Sequence, residues 1–315
     1  MIQATGIAAK AAELMVGAAC QLRPDVRAAL EVALGAGAGL SPVAQVNGKG
    51  VARVRERAPL PSDQQVDISD KPAPAHLREH AVLQALLDND EIARRDHVPI
   101  CQDTGTTWIR VELAAGEQIA GDLQEACDAA CARASKQAGL RNSLVYDAYS
   151  DRRNTGTNTP VFLDVVQTAE PHTQLHVMLK GAGSDNASRI VMLDPDSTDG
   201  DIEAAVLAAV AEKASMACPP LIIGLGIGGT FDTVAKLSKH ALLRPLDEPH
   251  PDPSVDALAS RLLAAVNATG IGPAALGGDT TALAVRIETA PCHIAARPLA
   301  INLCCNALRS ATCQL

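Results

Sequence analysis

The chain is short of aromatic side chains: its 315 residues include one Trp, two Tyr and two Phe. These are Trp108, Tyr146, Tyr149, Phe162 and Phe231, too few and too scattered for a base-stacking platform. An excess of positive charge is lacking too. Twenty-seven Lys and Arg stand against thirty-six Asp and Glu, a net charge of −9. A nucleic-acid surface needs a basic face to meet phosphates, so no nucleic-acid partner is expected. No uninterrupted apolar run reaches membrane-crossing length, so no membrane partner is expected either. The stretch Met1–Cys20 lacks a basic region followed by a long apolar one, which argues against a secretory signal and for a cytoplasmic location. What is present is apolar mass. Hydrophobic residues make up 47% of the chain, mostly Ala, Val, Leu and Ile, enough for a substantial packed core.

The chain has nine cysteines: Cys20, Cys101, Cys127, Cys131, Cys218, Cys292, Cys304, Cys305 and Cys313. An odd number at wide spacing reads as metal or catalytic use plus buried thiols, not as a disulfide framework.

Periodicity predicts helices over 4–20, 24–35, 75–95, about 120–138, 201–216 and 254–268. Strands are expected over 107–113, 161–166, 175–179, 221–225, 282–287 and 294–302, with a helix following Leu225 and running through Leu243. Residues 37–73 lose helical period and gather Gly, Pro, Asp and Ser, as a long surface loop or small hairpin does. Strands and helices mix without strict alternation, so the fold class expected is α+β, or mixed α/β. Two parts follow: 1–74, a helical segment with the long loop, and 75–315, mixed sheets packed with helices and carrying the chemistry. There is no internal repeat.

Five polar, glycine-rich stretches interrupt this pattern at element ends. They are Pro99–Gly105, Asn154–Pro160, Lys180–Asn186, Cys218–Pro220 continued by Gly224–Thr230, and Gly277–Thr281. Such loops present backbone N–H groups to anionic ligands, although any one of them can be a plain turn. Cys101, Cys218 and Cys305 all lie at element ends, where a thiolate reaches a metal without breaking a helix. Three thiolates can hold three corners of a cubane iron–sulfur cluster and leave the fourth iron open. Cys127 and Cys131, one turn apart on a helix, fit a buried structural role. Cys304 and Cys305 are adjacent and point opposite ways on a strand, so one ligand is expected from the pair. A competing reading starts from Gly224-x-Gly226-x-x-Gly229 with Asp247 downstream, a nominal nicotinamide-dinucleotide fingerprint. It sits late in the chain and outside any clean series of βα units. A non-catalytic iron–sulfur scaffold is a third possibility.

The loops together resemble the α region of the iron–sulfur (class I) fumarase and tartrate dehydratase family. P-I-C-Q-D-T-G-T at 99–106, A-C-P-P-L-I-I-G-L-G-I-G-G-T at 217–230 and I-N-L-C-C-N-A at 301–307 are similar to its three cluster loops. N-T-G-T-N-T-P at 154–160, K-G-A-G-S-D-N at 180–186 and the stretch 270–288 are similar to its other glycine-rich loops, in the same order. The resemblance implies a [4Fe–4S] cluster with one open iron held by Cys101, Cys218 and Cys305. It implies substrate contacts from Gln102, from Arg141 in L-R-N-S-L, and from the backbone of Gly183. Asp103 is the candidate for managing the hydroxyl proton.

The activity implied is reversible hydration of a small dicarboxylate, fumarate to L-malate, with L-tartrate or another hydroxy-diacid as the alternative. The family's complete enzyme also needs a β region. The sequence here stops at Leu315, after the third loop, so the resemblance implies a separate beta subunit and a heterotetramer of two alpha and two beta chains. Three positions depart from the family pattern: Ala182 for Gly, Asp279 for Lys and Arg286 for His.

Overall fold

A computed structural model describes residues 1–37 and 73–315; the expected loop or hairpin over 37–73 falls almost wholly outside them. In chain order the elements begin with β1 (Ile2–Gln3), α1 (Ala4–Cys20), α2 (Pro24–Gly37), α3 (Ala75–Asp96), β2 (Thr106–Leu113), β3 (Ile119–Ala120) and α4 (Leu123–Gln137). Next come β4 (Phe162–Gln167), β5 (Gln174–Lys180), α5 (Ala182–Asn186), β6 (Arg189–Leu193) and α6 (Asp199–Lys213). The last are β7 (Leu221–Gly229), α7 (Thr233–Ala241), α8 (Pro253–Asn267), β8 (Ala282–Cys292), β9 (Arg297–Cys304) and β10 (Arg309–Gln314). Helices with mixed sheets make this the expected α+β class.

The first four-stranded sheet has the order β10-β5-β2-β4, with only β2 and β4 parallel. Side chains alternate across it. Ile109, Val111, Leu175, Val177 and Leu179 face one way and pack with Ile7, Ala11 and Met15 of α1 and with Ala130 and Cys131 of α4. The second sheet has the order β6-β9-β7-β8, with only β7 and β8 parallel. Its Leu221, Ile223, Leu225, Val285 and Ile287 pack under α6 and α8. A third core joins the two sheets through Trp108, Met178, Ile222 and Cys304, closed by Leu30 of α2 and Leu83 of α3. The helices before residue 37 therefore pack into the same cores as the later elements.

One expected element changes. The strand that begins at Leu221 does not stop at Leu225 but runs to Gly229, and α7 starts only at Thr233. The reason is helix–strand packing. A Cβ on Gly224 would sit 2.3 Å from the Ser238 carbonyl oxygen, and one on Gly226 2.5 Å from that of Val234. The glycines let α7 lie directly on β7. They are strand residues, not a strand-to-helix turn around a pyrophosphate, and the dinucleotide fingerprint loses its structural context. Strands β6 and β10 and the short α5 were not anticipated, and the strand expected over 294–302 is shifted to Arg297–Cys304.

Candidate active site

The register brings the interrupting loops together. Thr106, opening β2, pairs with Lys180, closing β5. Ile222, near the start of β7, pairs with Cys304, closing β9. Lys180 Nζ then reaches across and donates to the Leu303 carbonyl at 3.2 Å, tying one sheet end to the other. The loops after α3, β5, α6 and β9 thus share one edge of the molecule.

Asp103 is the hub of that edge. Its Oδ1 accepts from Gly105 N at 3.1 Å and its Oδ2 from Ala182 N at 2.9 Å. Arg141 Nη2 stands 3.5 Å from Oδ1. The Asp103 amide donates to Cys101 Sγ at 3.4 Å, and its carbonyl accepts from Arg309 Nη1. A charged acceptor with several N–H partners is held more firmly than a neutral one. Gly105 at φ 74 is required here: a Cβ would lie 2.1 Å from the Lys180 carbonyl oxygen. Gln102 is exposed beside Cys101, its Oε1 3.7 Å from that sulfur.

Arg141 is 60% exposed, yet its backbone is fixed from below. Asn158, fully buried at φ 58, donates from Nδ2 to the Arg141 carbonyl at 3.2 Å and accepts from Ser143 N at 2.6 Å. The 154–160 loop thus anchors the backbone of the arginine. Gly183 has a packing reason of its own, since a Cβ there would lie 2.6 Å from the Met216 carbonyl oxygen. Met216 leads directly to the second cysteine.

Cys101 and Cys305 are half-buried and Cys218 is exposed. Cys218 adopts the left-handed conformation at φ 54, uncommon for a non-glycine residue and typical of functional turns. Its carbonyl accepts from Asn306 N at 3.3 Å and from Asn306 Nδ2 at 2.8 Å, which binds the second cysteine loop to the third. Partial burial of the sulfur pushes the Cys218 thiol up, helped by the nearby Cys305 and Cys101 thiols and the Asp103 carboxylate. Cys304 and Cys305 titrate as a pair. Their mutual influence holds Cys304 below the ordinary thiol value and pushes Cys305 above it. Cys304 is 3% exposed and belongs to the core between the sheets, which leaves Cys305 to face the edge.

Among the described residues, no three His, Cys, Asp or Glu side chains converge as ligands of a single metal ion. A cubane cluster is larger than an ion and takes its thiolates at separate corners. Three thiols on three stitched loops, near enough to perturb one another, fit that larger group. Cys127 and Cys131 lie in the α1–α4 core, away from the edge, where burial raises both thiols, the former to about 12, and packing accounts for them.

The departures from the family pattern fall beside this edge or away from it. Glu79 of α3, 4% exposed, accepts from Asp279 N and Thr280 N, each at 2.9 Å, so the 277–281 loop is tied to a helix. Arg286 has Arg244, Asp256, Asp247 and Asp25 as its charged neighbours, none of them at the edge. A cleft of about 560 Å3 lies elsewhere, beside Gln21, Arg23, Asp25, Pro245 and Ser310. Its Arg23 is already saturated by Asp25, Ser310 and three backbone carbonyls.

Two residues of the edge escaped sequence reasoning. Lys180 stood inside a quoted motif without a role, and Arg309 was not singled out. A lysine ending the apolar run 175–179 was the available signal.

Comparison with known proteins identifies the family. The profile of the family described as fumarate hydratase (fumerase) matches residues 69–314. A protein of Methanocaldococcus jannaschii assigned as an L(+)-tartrate dehydratase alpha subunit is 36% identical over 236 residues, covering 73% of this chain and 82% of its own. The L(+)-tartrate dehydratase alpha subunit of Escherichia coli is 31% identical over 234 residues, covering 73% and 77%. The matched family and these relatives support hydro-lyase activity. The chain belongs to the fumarate hydratase (fumerase) family.

Proposed function

We propose that the chain is the alpha subunit of a two-subunit iron–sulfur hydro-lyase acting on a four-carbon hydroxy-diacid. The observation that carries this reading is the shared edge at which Cys101, Cys218 and Cys305 meet Asp103 and Arg141. The names of the relatives favour L(+)-tartrate as substrate, and the family's name favours the fumarate–malate pair.

Cys101, Cys218 and Cys305 would hold a [4Fe–4S] cluster, which would supply Lewis-acid chemistry toward a substrate oxygen. Arg141 grips one carboxylate through a planar fork of two parallel N–H bonds and neutralises charge that builds there as the C–H proton leaves. Asp103, pinned by two amides and Arg141, keeps lone pairs free to hold the hydroxyl proton. Gln102 adds a polar contact, and the Gly183 backbone approaches the ligand from the 180–184 loop. The base for the opposite face comes from a beta subunit, in an assembly of two alpha and two beta chains in the cytoplasm.

The test is anaerobic co-expression with the partner chain. Iron and sulfide are measured, then water loss from L(+)-tartrate and interconversion of malate and fumarate. A brown, iron-loaded complex turning over either substrate is expected, with the isolated chain inactive. Full activity in a complex free of iron would refute the reading.

A further inference from the structure

Behind the candidate site two cations are buried without a carboxylate. Lys180 is 1% exposed and Arg309 is 2% exposed. Lys180 Nζ donates to Ser184 Oγ at 2.9 Å and to the Leu303 carbonyl at 3.2 Å. Arg309 Nη1 donates to the Asp103 carbonyl, and its Nε is buried with no partner at all. These acceptors are neutral, and among the described residues neither cation enters an ion pair.

Taking a charge out of water without a counter-charge is strongly unfavourable. Elsewhere two buried carboxylates meet a cation, while buried Glu79 is met only by the Asp279 and Thr280 amides. Buried Asp90 pairs with Arg27, and buried Asp164 pairs with both Arg110 and Lys236. Lys180 and Arg309 enter no ion pair among the described residues, and each reaches toward a stretch that carries one of the three cysteines. The carbonyl that Lys180 grips belongs to Leu303, two residues before Cys305. The carbonyl that Arg309 grips belongs to Asp103, two residues after Cys101. Each cation therefore binds the backbone of a cysteine loop and has charge left over.

We infer that Lys180 and Arg309 are positioning residues that form a cationic floor beneath the three cysteines. Their charge offsets the negative charge brought by thiolates and dicarboxylate, and their donors fix the Cys101 and Cys305 loops. This rests on the cluster reading above. A floor of this kind has its full counter-charge only when the anions of the site are present.

That asymmetry makes it testable. The complex of full chain and partner is prepared with Lys180→Met, Arg309→Met, Lys180→Gln and Arg309→Lys. The readouts are iron release to a chelator, the midpoint potential of the bound cluster, and the melting temperature of the metal-free protein. Both methionine variants should lose iron about 10- to 100-fold faster, as outer-shell changes do. Their potentials should fall, because removing a nearby positive charge favours the oxidised cluster. Their metal-free melting temperatures should stay or rise, since a buried unpaired charge has gone. Lys180→Gln keeps the bonds to Ser184 and Leu303 without the charge, so it should show the same fall in potential. Arg309→Lys keeps the charge and should hold the wild-type potential.

Unchanged potential and iron release in the charge-removing variants, or a lowered metal-free melting temperature with unchanged potential, would reduce both residues to structural pegs and overturn this inference alone. A wild-type complex that takes up no iron would instead overturn the cluster reading and this inference with it.

Discussion

Gly224→Ala tests the contact that decides between two readings of the glycine-rich strand. The new Cβ would meet the Ser238 carbonyl oxygen at 2.3 Å, Leu242 Cγ at 2.8 Å and Leu242 Cδ2 at 3.0 Å. The leucine can turn away, but the carbonyl belongs to the backbone of α7. Ordinary contact starts at 3.4 Å, so the helix must withdraw by roughly 1 Å from β7. Val234, Ser238 and Ala241 are buried on its packed face, and all three lose contact if it moves. Overpacking of this kind costs about 1–3 kcal/mol, and the rigid partner points to the upper end. Alanine recovers about 0.5–1 kcal/mol by ordering the unfolded strand less expensively than glycine. The net expectation is a loss of about 2 kcal/mol, or about 3 °C in Tm for a chain of 315 residues.

Gly17→Ala is the control. Gly17 lies within α1 with nothing within 4 Å of its would-be Cβ. Alanine there should raise stability by about 0.4–1 kcal/mol. The assay is thermal unfolding followed by far-UV circular dichroism, with titration of NAD and NADP into the wild type. An unchanged Tm for Gly224→Ala, or tight nicotinamide binding abolished by it, would refute the packing argument.

Three further outcomes are expected. Serine at Cys101, Cys218 or Cys305 should remove most of the bound iron, whereas serine at Cys127 or Cys131 should leave it unchanged; iron analysis of anaerobically purified protein decides. Arg141→Lys keeps the charge but loses the planar fork, so once partner and substrate cover the site it should cost on the order of 2–5 kcal/mol in kcat/KM, checked by steady-state kinetics. Burial opposes the charge of Asp164, but Lys236 and Arg110 outweigh it and hold the carboxyl below its ordinary value. Its contribution to stability is therefore complete above about pH 4, where the unfolded carboxyl is ionised, and is lost as the pH falls through the lower folded value. Asp164→Asn should lower Tm at pH 7 and flatten the acid limb of the Tm–pH curve; parallel curves for both proteins would show that the triad contributes nothing.

Much of the fold was legible because period and burial agree. In β5, Leu175, Val177 and Leu179 meet α1 and α4 while Met178 meets the second sheet, so both faces are buried and the run reads as a strand. Helices α1, α3 and α8 carry plain amphipathic or alanine-rich patterns. The pattern failed where glycine hides the period. Gly224, Gly226, Gly228 and Gly229 have no side chains to alternate, so the second half of β7 looks like a turn and only the packing of α7 reveals a strand. Strand β6, five residues long with no fully buried side chain, leaves no core signature.

The candidate site was legible at the surface of its loops and hidden beneath them. Cysteine, aspartate and arginine in polar, glycine-rich stretches announce chemistry because nothing in packing explains them. Their supports do not. Asn158 holds Arg141 through its side-chain amide, but in sequence it is one turn residue among several. Ser184 of α5 and Leu303 of β9 both receive Lys180, a contact made only when Ile222 pairs with Cys304 and Thr106 with Lys180. Arg309 follows a buried leucine at the start of a strand, where an arginine is usually read as a solvated edge. Charge in a sequence is taken as exposed unless a partner of opposite sign is seen nearby, and these two cations enter no ion pair among the described residues. Their partner, on the reading offered here, is the negative charge of the site itself, so the feature hardest to read from sequence is the one that depends on what the site is built to bind.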